Sequence, residues 1–369
     1  MKKLKILHAA DLHMDSPFEA LPGSKAALRR QEQRELLGRM AELVQREGVE
    51  LVLLAGDLMD SESGFCETGE VLFRSLAQMA VPVFIAPGNH DYYSPRSPYA
   101  KKLPENVHVF RENRISRVEL PELGVRVYGA GFIGRQSGPL LRSFHAEREE
   151  GITNLLCLHG EVGAPESPYD PITEAELAES GLDYAALGHI HKAGGLRRAG
   201  RCFYSWPGCP EGRGFDETGE KYVNLIELDG EACTLQTRSV AGRRYEVLRV
   251  DVSGSDPLLA VHALLPGDTQ RDIYRLILTG ETDTPPELGR LYENLKEFFF
   301  ALQLRDETSA RQDLWARVGE DSLRGLFLGN LRAAYDRADG EMKRRIEQAA
   351  RWGLAALDNR EEPVRHEDQ

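Results

Sequence analysis

The chain has 369 residues, more than a single hydrophobic core usually serves, so a large domain with smaller additions, two or three units in all, is expected. Hydrophobic residues make up 41% and charged residues 28%, and no apolar run approaches the roughly 20 residues that span a bilayer, which argues against a membrane-embedded protein. A formal net charge of -13 argues against a general coating of nucleic-acid phosphates, which rests on lysine and arginine; any such contact has to be local, metal-assisted or shared with a partner.

The opening MKKLKILHAADLH carries early lysines, but its apolar stretch is short, meets His8 and Asp11 and lacks a small-residue cleavage site. It reads as a strand, not a signal peptide. Further along, VELVLLAGD, VPVFIAPGNHD, NLLCLHGE and YAALGHIH are runs of Val, Ile and Leu without polar alternation, as in strands buried on both faces of a layered α/β domain. Helices are expected over 24–47 and 68–80. Each apolar run ends in a polar motif, which places reactive residues on loops past the carboxyl ends of strands. RCFYSW, KYVNLIEL and ACTLQTRSV, separated by Gly-rich turns, read as antiparallel strands that finish a domain at about Gly242.

Beyond that boundary, RYEVLRVDV, a helix near 256–265, DIYRLILTG, a helix from about Pro286 and FFALQLRD form a small β-α-β-α-β unit over 243–307. The segment 308–369 reads as helical, with Met342, Ile346, Ala349, Ala350, Gly353 and Leu357 at the spacing of one helix face. Cys66, Cys157, Cys202, Cys209 and Cys233 are scattered without a CxxC pair, which suits free thiols in a reducing compartment, and a cytoplasmic location is expected.

Taken one at a time the motifs are weak, since a strand-end Asp often caps a helix and a His is often a satisfied polar residue. In series, D-x-H, GD, GNHD, HG and GHIH supply Asp11, His13, Asp57, Asn89, His159, His189 and His191, with His90 besides. That is enough for two metal ions. Imidazole mixed with carboxylate and amide oxygen suits manganese, iron, zinc or related divalent ions. Two ions roughly 3.5–4 Å apart can share a carboxylate and a water, turn that water into hydroxide and neutralise phosphate oxygens during in-line attack. Asp57 is the candidate bridge.

On these motifs, in this order, the first 240 or so residues resemble the calcineurin-like metallophosphoesterase superfamily. The resemblance implies an α-β-β-α sandwich with Asp11, His13 and His191 on one metal, Asn89, His159 and His189 on the other, and Asp57 bridging. It implies that His90 stays uncoordinated and faces the scissile phosphate, with Asp91 orienting it, an arrangement that fits general acid catalysis. Asp15 and Asp60 fit as outer carboxylates that orient ligands, and equally as caps. His8, inside the first strand, reads as a packed, hydrogen-bonded histidine. Tyr92 and Tyr93 offer stacking surfaces, although loop packing is the plainer role. His108, His145, His262 and His366 lie outside the series. WPGCPEGRG lacks a Walker lysine and is assigned to loop structure.

The superfamily spans many substrates, so finer details must discriminate. GDLMDS lacks the arginine of the phosphoprotein phosphatases, and GNHD stands where they have GNHE. HAADLHMDSPF and GHIHK resemble the DNA repair exonuclease branch, with its SbcD-like and YhaO-like members. That resemblance implies a DNA exonuclease or endonuclease with two divalent ions, manganese foremost and Fe2+, Zn2+ or Mg2+ as alternatives. It also implies that 243–307 caps the site and that 308–369 docks on an SMC-like coiled-coil ATPase, while an amphipathic stripe is more often intramolecular packing; a homodimer is compatible. A small-substrate phosphodiesterase or phosphatase is the second reading, and a non-catalytic scaffold the third.

Overall fold

The computed structural model describes residues 3–61, 66–310 and 314–357. Two compact units emerge, Met1–Glu246 with Arg271–Ile273, and Val247–Gln270 with Tyr274–Gln369. No helix among the described residues is long and apolar enough to cross a membrane.

The first unit runs β1 (Leu4–Ala9), α1 (Gly23–Glu47), β2 (Leu51–Leu54), α2 (Cys66–Gln78), β3 (Val83–Ile85), β4 (Val107–Val109), β5 (Ser116–Leu120), β6 (Val125–Gly129) and β7 (Thr153–His159). It continues with β8 (Glu161–Val162), β9 (Pro171–Ile172), α3 (Glu174–Glu179), β10 (Tyr184–Gly188), β11 (Arg197–Ala199), β12 (Cys202–Ser205), β13 (Val223–Asp229) and β14 (Ala232–Arg238). Two six-stranded sheets result, ordered β14-β13-β1-β2-β3-β4 and β11-β12-β10-β7-β6-β5.

Alternation along each strand creates three apolar layers. Leu7, Val52, Leu54 and Ile85 face Leu36, Met40 and Leu72 of α1 and α2. The intervening Ile6, Leu51, Leu53 and Phe84 meet Val127, Leu155, Cys157 and Ala186 of the second sheet. Leu156, Leu158 and Leu187 point the other way, with Leu177 of α3. Burial on both faces explains the unbroken apolar runs, and each fully buried Leu or Ile contributes about 1.5–3 kcal/mol. The architecture is the α-β-β-α sandwich.

Helix α1 stops at Gly48, whose φ of 63 supplies the left-handed cap. Helix α2 ends earlier than the pattern 68–80 suggests, because Ala80 turns to φ 55. The hairpin β5–β6 escaped the sequence reading; its outer strand is charged and largely exposed.

The second unit contains β15 (Tyr245–Asp251) from Val247 on, α4 (Pro257–Leu264), β16 (Ile273–Thr279) from Tyr274 on, β17 (Glu281–Thr282), α5 (Leu288–Leu295), β18 (Ala301–Asp306), β19 (Ser309–Ala310), α6 (Leu323–Tyr335) and α7 (Gly340–Leu357). A three-stranded sheet, β15-β16-β18, packs Val250, Leu276 and Leu278 with Leu291, Leu295 and Phe299. Residues on both sides of position 308 fall in this one unit. On α7, Ala350 is buried and Gly353 lies under the Phe327 ring of α6, whereas Met342 and Leu357 are exposed. Positions 311–313 and 358–369 of the expected helical segment, His366 included, lie outside the described residues.

Candidate metal centre

Parallel pairing of β1, β2 and β3 brings their carboxyl ends to one edge, and that of β7 and β10 does the same in the other sheet. Asp11 and His13 follow β1, Asp57 follows β2, and Asn89 and His90 follow β3. His159 ends β7, while His189 and His191 follow β10. The loops after β1 and β2 are zipped together by Asp11 N–H to Gly56 O (3.0 Å) and His13 N–H to Asp57 O (2.9 Å). Asp11, His13, Asp57 and His189 all take left-handed backbone, at φ 55, 44, 51 and 94. Side chains rarely adopt it, and such strain concentrates at functional sites. Close approach is enforced too: a Cβ on Gly88 would lie 2.3 Å from Asp57 Oδ1, and one on Gly188 would lie 1.8 Å from Ala55 O.

The seven side chains converge. His13 Nε2 and His191 Nε2 are 3.1 Å apart. Asn89 Oδ1 is 2.9 Å from His159 Nε2 and 3.2 Å from His189 Nδ1. Asp57 Oδ2 lies 3.8 Å from His13 Nε2 and 3.4 Å from His159 Nε2, so it stands between the two groups. Asp11 accepts the His189 backbone N–H at 3.1 Å. Asp11, His13 and His191, and separately Asp11, Asp57 and His159, present ligand atoms within 4.8 Å of one another. Cations fit this donor set, because lone pairs of buried nitrogen and oxygen atoms face each other with no proton donor sufficient for all of them.

Behind the ligand atoms, the far imidazole nitrogens have oxygen partners. His13 Nδ1 is 3.1 Å from Asp60 Oδ1, His191 Nδ1 is 2.8 Å from Glu217 Oε1, and His159 Nδ1 is 2.9 Å from Ala55 O. A proton on each of these nitrogens leaves the opposite lone pair free for a cation. Asp15 instead meets Thr68 and Arg34. Sequence reasoning missed Glu217 and its neighbour Arg213, which sit in and just beyond the segment assigned to loop structure. Arg213 donates to Glu217 Oε1 at 2.7 Å and lies 3.5 Å from Asp60 Oδ1. The one available signal was a buried-type loop carrying paired charges directly after a strand.

The Asp91 carboxylate, expected beside His90, is engaged elsewhere. It is buried and accepts N–H groups of Asp57 (3.1 Å), Leu58 (2.8 Å) and Gly88 (2.8 Å), together with the Tyr99 hydroxyl. It therefore clamps the Asp57 loop to the GNHD turn. Consecutive side chains in an extended turn point in different directions, and the group beside the His90 ring is Asp60, with Oδ1 3.8 Å from Nδ1. His90 itself is exposed, its backbone N–H bound to Asp57 Oδ1 at 2.9 Å. Its ring also lies within reach of His13 and Asp57.

Beside His90 opens a cavity of about 530 Å³, lined among others by Asp60, Asn89, Tyr92, Arg135 and Tyr169. Tyr169 leans on the His189 ring at 4.6 Å between centroids. Tyr93 packs into the core with Arg111 over its face. His8 is fully buried between Tyr184 OH (2.8 Å) and Leu187 O (3.1 Å), and burial lowers its pKa to about 3. His108, His145 and His262 lie elsewhere, against Phe110, Glu179 O and Phe298.

Burial and the neighbouring Asp57 raise the Asp11 pKa, and burial raises that of Asp57. Burial lowers His13, and lowers His159 and His189 to about 4 each, so these imidazoles are neutral and ready to ligate. At His191 burial is outweighed by Glu217 and Asp11, which raise its pKa. Glu217, despite burial, is held well below the carboxylate range by His191 and Arg213.

A fold of this kind with this site defines a metal-dependent phosphoesterase. The calcineurin-like phosphoesterase profile matches residues 4–193, and the chain belongs to that family. It is 30% identical over 366 residues to the uncharacterized metallophosphoesterase YhaO of Bacillus subtilis, covering 91% of this chain and 88% of the relative. It is 26% identical over 271 residues to the DNA double-strand break repair protein Mre11 of Aeropyrum pernix, covering 67% and 64%. It is 22% identical over 276 residues to the SbcD component of the nuclease SbcCD of Bacillus subtilis, covering 63% and 68%. The chain is accordingly a hydrolase of phosphoester bonds.

Proposed function

We propose that the chain hydrolyses phosphodiester bonds of DNA, at or near ends, with two divalent cations held by Asp11, His13 and His191 on one side and Asn89, His159 and His189 on the other, Asp57 between them. The observation that carries the metal assignment is the facing of His13 on His191 and of Asn89 on His159 and His189, at 3.1, 2.9 and 3.2 Å, across Asp57. Manganese is the first choice on the family resemblance; the mixed imidazole and oxygen donors suit iron and zinc as well, with magnesium behind them. Two bound ions supply an activated water and neutralise phosphate oxygens.

The chain's own groups do the rest. His90, at the mouth of the cavity, gives a proton to the leaving oxygen, and Asp60 beside its Nδ1 orients the ring. Tyr92 and Tyr169 offer ring faces to a base, and Arg135 offers a cation to a flanking phosphate. Asp91 acts at one remove, by fixing the Asp57 loop.

DNA as substrate is supported by the similarity to a double-strand break repair protein and to a nuclease component. An SMC-like ATPase partner belongs to the same reading. In its favour, Leu323 and Leu326 of α6 are 71% and 66% exposed, and truncation before residue 308 is expected to abolish co-purification. Free thiols at Cys157, Cys202, Cys209 and Cys233 support a cytoplasmic location. A small-substrate phosphodiesterase is the second reading, favoured by the net charge of -13.

The deciding experiment is manganese-dependent hydrolysis of linear single- and double-stranded DNA beside a cyclic nucleotide and an aryl phosphate. Cleavage of DNA is expected; activity confined to the small substrates overturns the nuclease reading.

A further inference from the structure

The two halves of the centre are supported differently. His159 leans on a backbone carbonyl, Ala55 O, which no side-chain replacement removes. His13 and His191 lean on carboxylates, Asp60 and Glu217, and both carboxylates meet one guanidinium. Arg213 binds Glu217 through Nη2 (2.7 Å), Nε (3.2 Å) and its own backbone N–H (2.9 Å). Its Nη1 lies 3.5 Å from Asp60 Oδ1, and its Nη2 lies 3.1 Å from His191 Nδ1. The contacts close a ring, His13, Asp60, Arg213, Glu217 and His191, shut by the 3.1 Å approach of the two Nε2 atoms.

We propose that Arg213 is a positioning residue that governs occupancy of one half of the metal centre, the Asp11, His13 and His191 half, by holding the two carboxylates that orient its imidazoles. The proposal rests on the ligand assignment made above. A planar fork is what the geometry demands, since one residue must serve two carboxylates at fixed angles, and a lysine ammonium reaches only one of them well. Outer groups of this kind typically set metal affinity by about 10- to 100-fold. His159 and Asn89 instead bond to each other and to Ala55 O and His189, so the effect falls on one cation and spares the other.

The test is manganese titration of the full metal-free chain by calorimetry, with elemental analysis and electron paramagnetic resonance of the loaded protein. Wild type should take up two ions and give the signal of a coupled pair. Arg213→Gln should bind one ion with wild-type affinity and the second about 10- to 100-fold more weakly, giving the signal of an isolated ion. Arg213→Lys should lie between them, and carries the test should Arg213→Gln fail to fold. Arg39→Gln is the structural control: Arg39 anchors the same loop through Glu211 (3.2 Å), outside the ring, and should keep both ions. Two unchanged affinities in both Arg213 variants overturn the proposal, and so does equal loss in Arg39→Gln. Fewer than two ions in wild type overturns the ligand assignment instead.

Discussion

Replacing Asp91 by Ala separates two views of the GNHD motif. The carboxylate receives backbone N–H groups from Asp57, Leu58 and Gly88 at 3.1, 2.8 and 2.8 Å, plus the Tyr99 hydroxyl, all in a fully buried setting. Each buried donor left without an acceptor costs about 1–3 kcal/mol. Water entering the space left behind relieves part of that, so the net loss should be about 3–5 kcal/mol, comparable to stripping one partner from a buried ion pair. Such a loss is a large fraction of the roughly 5–15 kcal/mol that holds a typical protein folded. The assay is urea unfolding of metal-free protein, which keeps cation binding out of the comparison. A lower midpoint at unchanged slope is expected, together with weaker manganese binding as the Asp57 loop drifts. An Asp91→Ala protein that unfolds like wild type, binds metal normally and has lost only turnover would restore Asp91 to the role of orienting His90 and refute the clamp.

Three further outcomes follow from the geometry. His90→Ala should keep metal content near wild type while turnover falls about 10²- to 10⁴-fold, whereas Asp57→Ala should lose metal as well; equal metal loss in both would contradict the division of roles. Because burial and Asp57 raise the Asp11 pKa, manganese uptake there should be accompanied by proton release, measurable by calorimetry in buffers of different ionisation heat, and affinity should rise with pH; uptake without proton release would contradict this. Burial also raises Asp170 to about 7, with Oδ1 on the Leu140 N–H at 2.6 Å. A carboxyl whose folded pKa exceeds its unfolded value, about 3.9, stabilises below that value and loses the contribution as pH rises through the folded one. Wild type should therefore lose stability between about pH 4 and 7 relative to Asp170→Asn, and parallel urea midpoints across that range would rule this out.

Much of the arrangement was legible because each motif closes an apolar run long enough to be a buried strand, and parallel strands end at one edge. Asp11, His13, Asp57, Asn89, His159, His189 and His191 meet for that reason. What the pattern does not encode is side-chain direction and distant support. Asp91 neighbours His90 in the chain yet turns inward to the backbone. Glu217 reaches His191 from a loop without periodicity, and only the folded chain reveals that Arg213 ties it to Asp60. The strand Ser116–Leu120 was missed although Val118 and Leu120 alternate with Arg117 and Glu119, because five residues with two partly buried apolar side chains give a much weaker signal than the long unbroken runs of the central strands.

The register of the first strand has a consequence for how the protein is made. Leu4 lies opposite Leu228, so the strand that leads into Asp11 and His13 lacks its antiparallel neighbour until synthesis has passed β13. Contacts so distant in sequence form slowly, and an unpaired strand edge invites association with other chains meanwhile. His159, His189 and His191 arrive on a second sheet before β13 does. Asp11, His13, Asp57 and Asn89 can gather as soon as β1, β2 and β3 pair, whereas His159, His189 and His191 come with strands of the second sheet, so the candidate centre is completed only when the two sheets pack, nearly two hundred residues into the chain.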